Sequence, residues 1–169
     1  MPERLHGDFP SILEALDGDD FRWKQLTERG NRAFASGDHQ NALADYDAAL
    51  LEAQRLFALA RRGASLEAAP ILVISCHNAA ENWLQLGDSS KALAFYRLAY
   101  EGIVTAAETT SAPRPFRSAC ICNLSHAMTP LIALLRNSGA ANSDIAAIVA
   151  RARRVASDPA NLPHDVTRH

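Results

Sequence analysis

Interruptions are scarce in this chain. Eight glycines and eight prolines are spread over 169 residues, gathered near Gly7–Pro10, Gly63–Pro70, Ser111–Pro115 and Pro159–Pro163. Segments this long between breaks exclude an all-β architecture, which needs a turn every 8–12 residues or so. No stretch alternates apolar and polar with a period of two, so strands are not expected. Cysteine is equally sparse. Three residues, Cys76, Cys120 and Cys122, make no even disulfide framework and favour a reducing, cytoplasmic setting. Charge of one sign is lacking too, with a net of -2, so neither nucleic acid nor disorder is favoured. The N-terminus holds Glu3, Asp8, Glu14, Asp17, Asp19 and Asp20, which argues against a secretory leader. The apolar run Ala68–Ile74 is too short to span a bilayer and contains Pro70, so membrane insertion is not expected. Charge is unevenly distributed all the same: residues 1–50 carry 5 − 10 = −5, and residues 111–169 carry 7 − 3 = +4.

What is present is helical periodicity. Trp23, Leu26, Ala33 and Phe34 are followed by Ala42, Leu43, Tyr46, Ala49 and Leu50, which fall at helical spacing. The fold class is therefore all-α. The chain also says the same thing twice. Phe34–Leu50 reads FASGDHQNALADYDAAL, and Leu84–Tyr100 reads LQLGDSSKALAFYRLAY, with Gly, Asp, Ala, Leu, Ala, Tyr and Ala in register at an offset of 87 − 37 = 50 residues. Gly37 suits a left-handed C-cap and Asp38 an N-cap, so each copy predicts two helices joined by a tight corner. One such pair cannot cover its own apolar face, and recurrence supplies the neighbour that does.

These residues resemble the tetratricopeptide repeat (TPR) family. In the first copy, from Trp23 to Leu50, the family pattern falls on Gly30, Gly37-Asp38, Ala42, Tyr46 and Ala49. In the second, from Val73 to Tyr100, it falls on Ala80, Gly87-Asp88, Ala92, Tyr96 and Ala99. A 50-residue period exceeds the usual 34 or so, and the unbroken run to Arg62 lengthens the second helix, as in the long-repeat subclass similar to kinesin light chains. The resemblance implies an α-solenoid of about three antiparallel hairpins in a single unit over 1–169. Repeat one lies near 21–62, repeat two near 71–110, and a degenerate repeat three near 114–157. In the third, Pro130 is expected to interrupt the first helix, Gly139 to make the corner, and Ser143 or Asp144 to cap the last helix. Phe9, Ile12, Leu13 and Leu16 form an apolar stripe that suits a short N-terminal capping helix. The tail from Asp158 to His169 is expected to fray.

The resemblance also implies a concave groove lined by the first helix of each pair: Lys24, Thr27 and Asn31, then His77, Asn78 and Glu81, then Cys122, Asn123 and His126. The peptide-groove candidates are Lys24, Thr27, Asn31, His77, Asn78, Glu81, Asn123 and His126. An amide offers donor and acceptor together and can pair with any peptide backbone; the alternative is that each Asn bonds within its own scaffold. A clamp for a C-terminal carboxylate needs cations where Thr27, Ala119 and Asn123 stand, so that mode is not expected. Cys122 and His126 share a face near Cys76-His77, which admits a zinc reading, but Cys-x-Cys on a helix points its thiols apart, and no metal or other cofactor is expected. No phosphate loop, nucleophile elbow or His-Glu metalloprotease motif occurs, so no enzymatic activity is expected. Arg151-Ala152-Arg153-Arg154 complements a helix C-terminus, with a nucleic-acid or acidic-partner patch as the sharper reading. The expected function is a protein- or peptide-binding module, an adaptor or a secretion-type chaperone. The alternatives are a self-associating structural protein and a regulatory domain that docks on a transcription or signalling partner.

Overall fold

The computed structural model describes residues 20–159 and Asn161. The expected capping helix at Phe9–Leu16 lies outside the described residues, as do the expected tail residues 160 and 162–169. Among the described residues there are six helices and no strand: α1 (Phe21–Ala35), α2 (His39–Arg61), α3 (Ala68–Gln85), α4 (Ser89–Glu108), α5 (Arg114–Asn137) and α6 (Asn142–Ala156). Each helix packs on the next, and α5 and α6 also pack on the next but one before them.

The corners form for local reasons. Gly37 has φ 79° and Gly87 has φ 80°, a region closed to most residues by Cβ. Both corners carry the same pair of bonds. The N–H of Gly37 donates to Phe34 and that of Asp38 to Ala33; the N–H of Gly87 donates to Leu84 and that of Asp88 to Trp83. Asp38 then accepts from the N–H of Asn41 at 3.1 Å, and Asp88 from that of Lys91 at 2.9 Å. The same ending recurs at Gly139, where the Ala140 N–H donates to Leu135.

Small residues face inward along α2 and α4: Ala42, Ala49, Ala92 and Ala99 are all essentially inaccessible. Ala49, Ala92 and Ala99 join Leu56, Tyr100, Ile103, Val104 and Leu131 in one continuous core. Tyr46 and Tyr96 take matching roles. Each is buried and donates its hydroxyl to a polar side chain fifteen residues earlier, Tyr46 to Asn31 at 2.9 Å and Tyr96 to Glu81.

Polar contacts tie one pair to the next. Trp23 Nε1 donates to Ser75 Oγ at 2.7 Å, linking α1 to α3. Asn82, fully buried on α3, donates through Nδ2 to the His39 carbonyl at 2.9 Å, and its Oδ1 lies 3.1 Å from His39 Nδ1. At the far end, the Arg151 guanidinium of α6 reaches Glu101, Thr105 and Glu108 on α4, and Tyr100 donates its hydroxyl to the Ile148 carbonyl at 2.9 Å. Arg151 is thus partnered rather than presented; Arg153 and Arg154 beside it are exposed.

Three expectations are corrected. Pro130 does not interrupt its helix: α5 runs through it for 24 residues. Proline removes one backbone donor and crowds the preceding turn, yet burial of Ala127, Leu131, Ile132 and Leu135 on either side holds the helix together. Neither Ser143 nor Asp144 caps α6, whose N-cap is Ala141 with no side-chain cap bond. Nor is the start of the tail frayed. Asn161 is buried, accepts from Arg117 at 2.7 Å and donates to the Val155 carbonyl at 3.1 Å.

Among the described residues α5 alone is long and apolar enough, with a mean hydropathy of 1.4, to cross a membrane by length and composition. It packs against α3, α4 and α6, and 33% of its apolar window is buried.

Candidate functional site

Three of the eight candidate groove residues share one cleft. Asn31 from α1 and Asn78 and Glu81 from α3 line one cleft of about 330 Å³, together with Phe34 and Tyr46. Helical spacing explains the grouping. Asn31 follows Trp23 and Thr27 by two turns and one turn of α1, and Asn78 and Glu81 are three apart on one face of α3.

Within the cleft the side chains differ in what they have left to offer. Asn31 Oδ1 already accepts the Tyr46 hydroxyl, which leaves its amide N–H₂. Glu81 Oε1 accepts the Tyr96 hydroxyl, which leaves Oε2. The Asn78 side chain is half-buried and makes no hydrogen bond or ion pair among the described residues. Phe34 stands beside Tyr46 with ring centroids 6.4 Å apart, and beside His39 at 5.0 Å in an edge-on arrangement. Burial raises the Tyr46 phenol above its ordinary value. Tyr96 is raised further, by burial first and then by its bond to Glu81 and the charge there. Both therefore act as donors at any ordinary pH.

His77 borders this site. Its ring meets Tyr96 edge-on at 5.4 Å, and its Nε2 is buried with no hydrogen-bond partner. Burial lowers its pKa; the Glu81 charge opposes this and the nearby His126 reinforces it. The ring is thus held neutral at pH 7. His126 itself is exposed.

The other candidates fall elsewhere, each for a physical reason. Lys24 is exposed and pairs at 2.9 Å with Asp20, the N-cap of its own helix. Thr27 is buried in the packing of α1, with no hydrogen-bond partner for its hydroxyl. Asn123 donates to the Ala119 carbonyl of its own helix at 2.9 Å, the scaffold role named above as the alternative. It lines a second, larger cavity of about 490 Å³ between the α2–α3 and α4–α5 connections, among Leu66, Pro70, Pro113, Phe116 and Cys122. Its only visible sequence signal was the pair of proline-bearing breaks that flank it. Phe34 and Tyr46 were also missed as cleft residues, because their apolar spacing reads only as core.

Among the described residues no group of three or more His, Cys, Asp and Glu side chains is arranged to hold a metal ion. Cys76 and Cys120 are buried, and desolvation pushes both thiols up to about 12, while Cys122 is exposed.

A family model described as a protein of unknown function, DUF2753, matches residues 21–169. No curated protein and no solved structure matches the chain.

Proposed function

The chain belongs to the DUF2753 family, whose function is unknown, and we propose that it acts as a non-catalytic module that binds a segment of a protein partner in a TPR-like groove. The observation that carries this reading is the cleft between α1 and α3, where Asn78 has no bonding partner and Asn31 and Glu81 keep spare bonding capacity beside an aromatic wall. Polar groups left unmatched at a concave surface are what an extended or helical segment needs for its own N–H and C=O groups.

The solenoid reading has independent support. The corners at Gly37, Gly87 and Gly139 share one hydrogen-bond pattern, and Tyr46 and Tyr96 occupy equivalent places fifteen residues after their acceptors. Stacked pairs of this kind present their first helices to one side as a continuous surface. Free thiols at Cys76, Cys120 and Cys122 suit a reducing, cytoplasmic compartment. An adaptor and a chaperone for an otherwise disordered segment both fit a binding surface of this size.

The test is selection of peptides from a random displayed library on the purified chain, repeated on Asn78→Ala and on Asn31→Ala/Asn78→Ala. The expected result is a recurrent peptide class whose binding is lost in the double variant while helical circular dichroism is kept. Peptides that bind both proteins equally, or no enrichment at all, would reject the groove.

A further inference from the structure

The cleft has a sign. Glu81 is its one ionisable carboxylate, and it has no ion-pair partner among the described residues. Neighbouring acids are satisfied by contrast: Asp45 pairs with Arg29 at 2.8 Å, Asp88 with Lys91 at 3.5 Å, and Glu101 and Glu108 with Arg151. The imidazole near Glu81, that of His77, is kept neutral by burial and by His126, so it does not supply the missing positive charge. Beside the carboxylate stand the Phe34 face, the Tyr46 ring behind it, and two amides with unused groups.

We infer that the cleft takes a cationic side chain of the bound segment, best an arginine, with its guanidinium on Glu81 Oε2 and the Asn78 carbonyl and its plane against Phe34. A guanidinium has five donors in one plane and stacks on aromatic faces, so it matches an acceptor-rich, aromatic-walled slot. Cation–π attraction adds to the charge pairing. An anionic group would meet the opposite: a bare carboxylate and no lysine or arginine on the cleft wall. Cation selectivity rests on the groove reading above but goes further, since a groove could bind backbone alone with no preference for charge.

Two measurements test it, with nuclear magnetic resonance on the labelled chain as the first. Titration with N-acetylarginine amide should shift the signals of Phe34, Asn78 and Glu81, whereas N-acetylglutamine amide should leave them in place. Glu81→Gln keeps an acceptor for Tyr96 and should weaken the arginine response about fivefold or more. The second is the peptide library: the native chain should enrich a fixed Arg or Lys, and Glu81→Lys should replace it with Asp or Glu. Peptides that bind through Asn78 with no fixed cation, and keep their preference in Glu81→Lys, would overturn the inference and leave the groove standing. A lack of response to arginine amide together with an empty library would overturn both. An arginine response confined to the cleft alongside an empty library would keep the cation site and reject the peptide groove.

Discussion

Gly30 offers the sharpest test of the packing. It lies mid-helix in α1, buried, where an alanine would normally stabilise by about 1 kcal/mol through helix propensity. Here a Cβ would stand 2.6 Å from both Cδ1 and Cε1 of Tyr46, well inside contact distance. The ring cannot swing aside freely, because Tyr46 is buried, flanked by Phe34 and fastened to Asn31 through its hydroxyl. Overpacking of this kind costs about 1–3 kcal/mol, and loss of the Tyr46–Asn31 bond adds about 1 kcal/mol. After the propensity gain, Gly30→Ala should destabilise by about 1–3 kcal/mol, or about 3–9 °C in Tm for a chain of this length. Thermal and urea unfolding by circular dichroism measure it. Gly102→Ala is the control: its added Cβ would meet only the flexible Leu72 Cδ2 at 3.1 Å, so its effect should be smaller. In a Tyr46→Leu background, Gly30→Ala should turn neutral or stabilising. A Gly30→Ala chain as stable as the parent, or an equal loss in both backgrounds, would refute the reasoning. The second copy has Ala80 at the matching position, also fully buried, so the backbone tolerates a methyl there and the conflict belongs to the Tyr46 ring.

Three further outcomes are expected. Asn82→Ala strips the His39 carbonyl and ring of their buried partner and should cost about 2–3 kcal/mol in chemical denaturation; Asn82→Asp should not rescue it, since a carboxylate has no N–H for the carbonyl. Arg151→Ala should cost about 1–2 kcal/mol at pH 7, being a partly exposed network of two carboxylates and a hydroxyl. Its bond to Arg151 lowers the Glu108 pKa below 4.5, so Glu108 contributes stability above that value and loses it as pH falls through the lowered one. The gap between parent and variant should therefore narrow in melts below about pH 4, and a gap independent of pH would count against the pairing. With a thiol reagent, the native chain should react quickly at Cys122 alone, because Cys76 and Cys120 are buried with thiols raised to about 12; all three should react in denaturant.

Features fixed by neighbours in sequence were legible. The Gly37-Asp38 and Gly87-Asp88 corners depend on φ and on a cap three residues away, and both can be read from a few letters. Tyr46 and Tyr96 were legible as equivalents because the segment repeats. Features decided by distant packing were not. Pro130 has the local signature of a break, and only the apolar burial around it keeps α5 whole. Asn82 looks like any helix-surface amide until His39, 43 positions away, arrives beside it. For the site, the sequence picked out residues on the first helices but not their neighbours. Asn31, Asn78 and Glu81 share a cleft, whereas Thr27 is turned into the packing and Asn123 onto its own helix.

The fastening of α6 has a mechanical consequence. Its hold on the body relies on a few buried side chains, Ile145, Ala152 and Val155, on the Arg151 guanidinium, on one tyrosine hydroxyl and on the Arg117–Asn161–Val155 link, whereas α2 to α5 are locked on two sides. Amide exchange should therefore run fastest at this end, and pulling should peel the chain from here inward. Peeling would bare the flank of α5, the described helix whose apolar window is long enough to cross a membrane, to whatever is at hand.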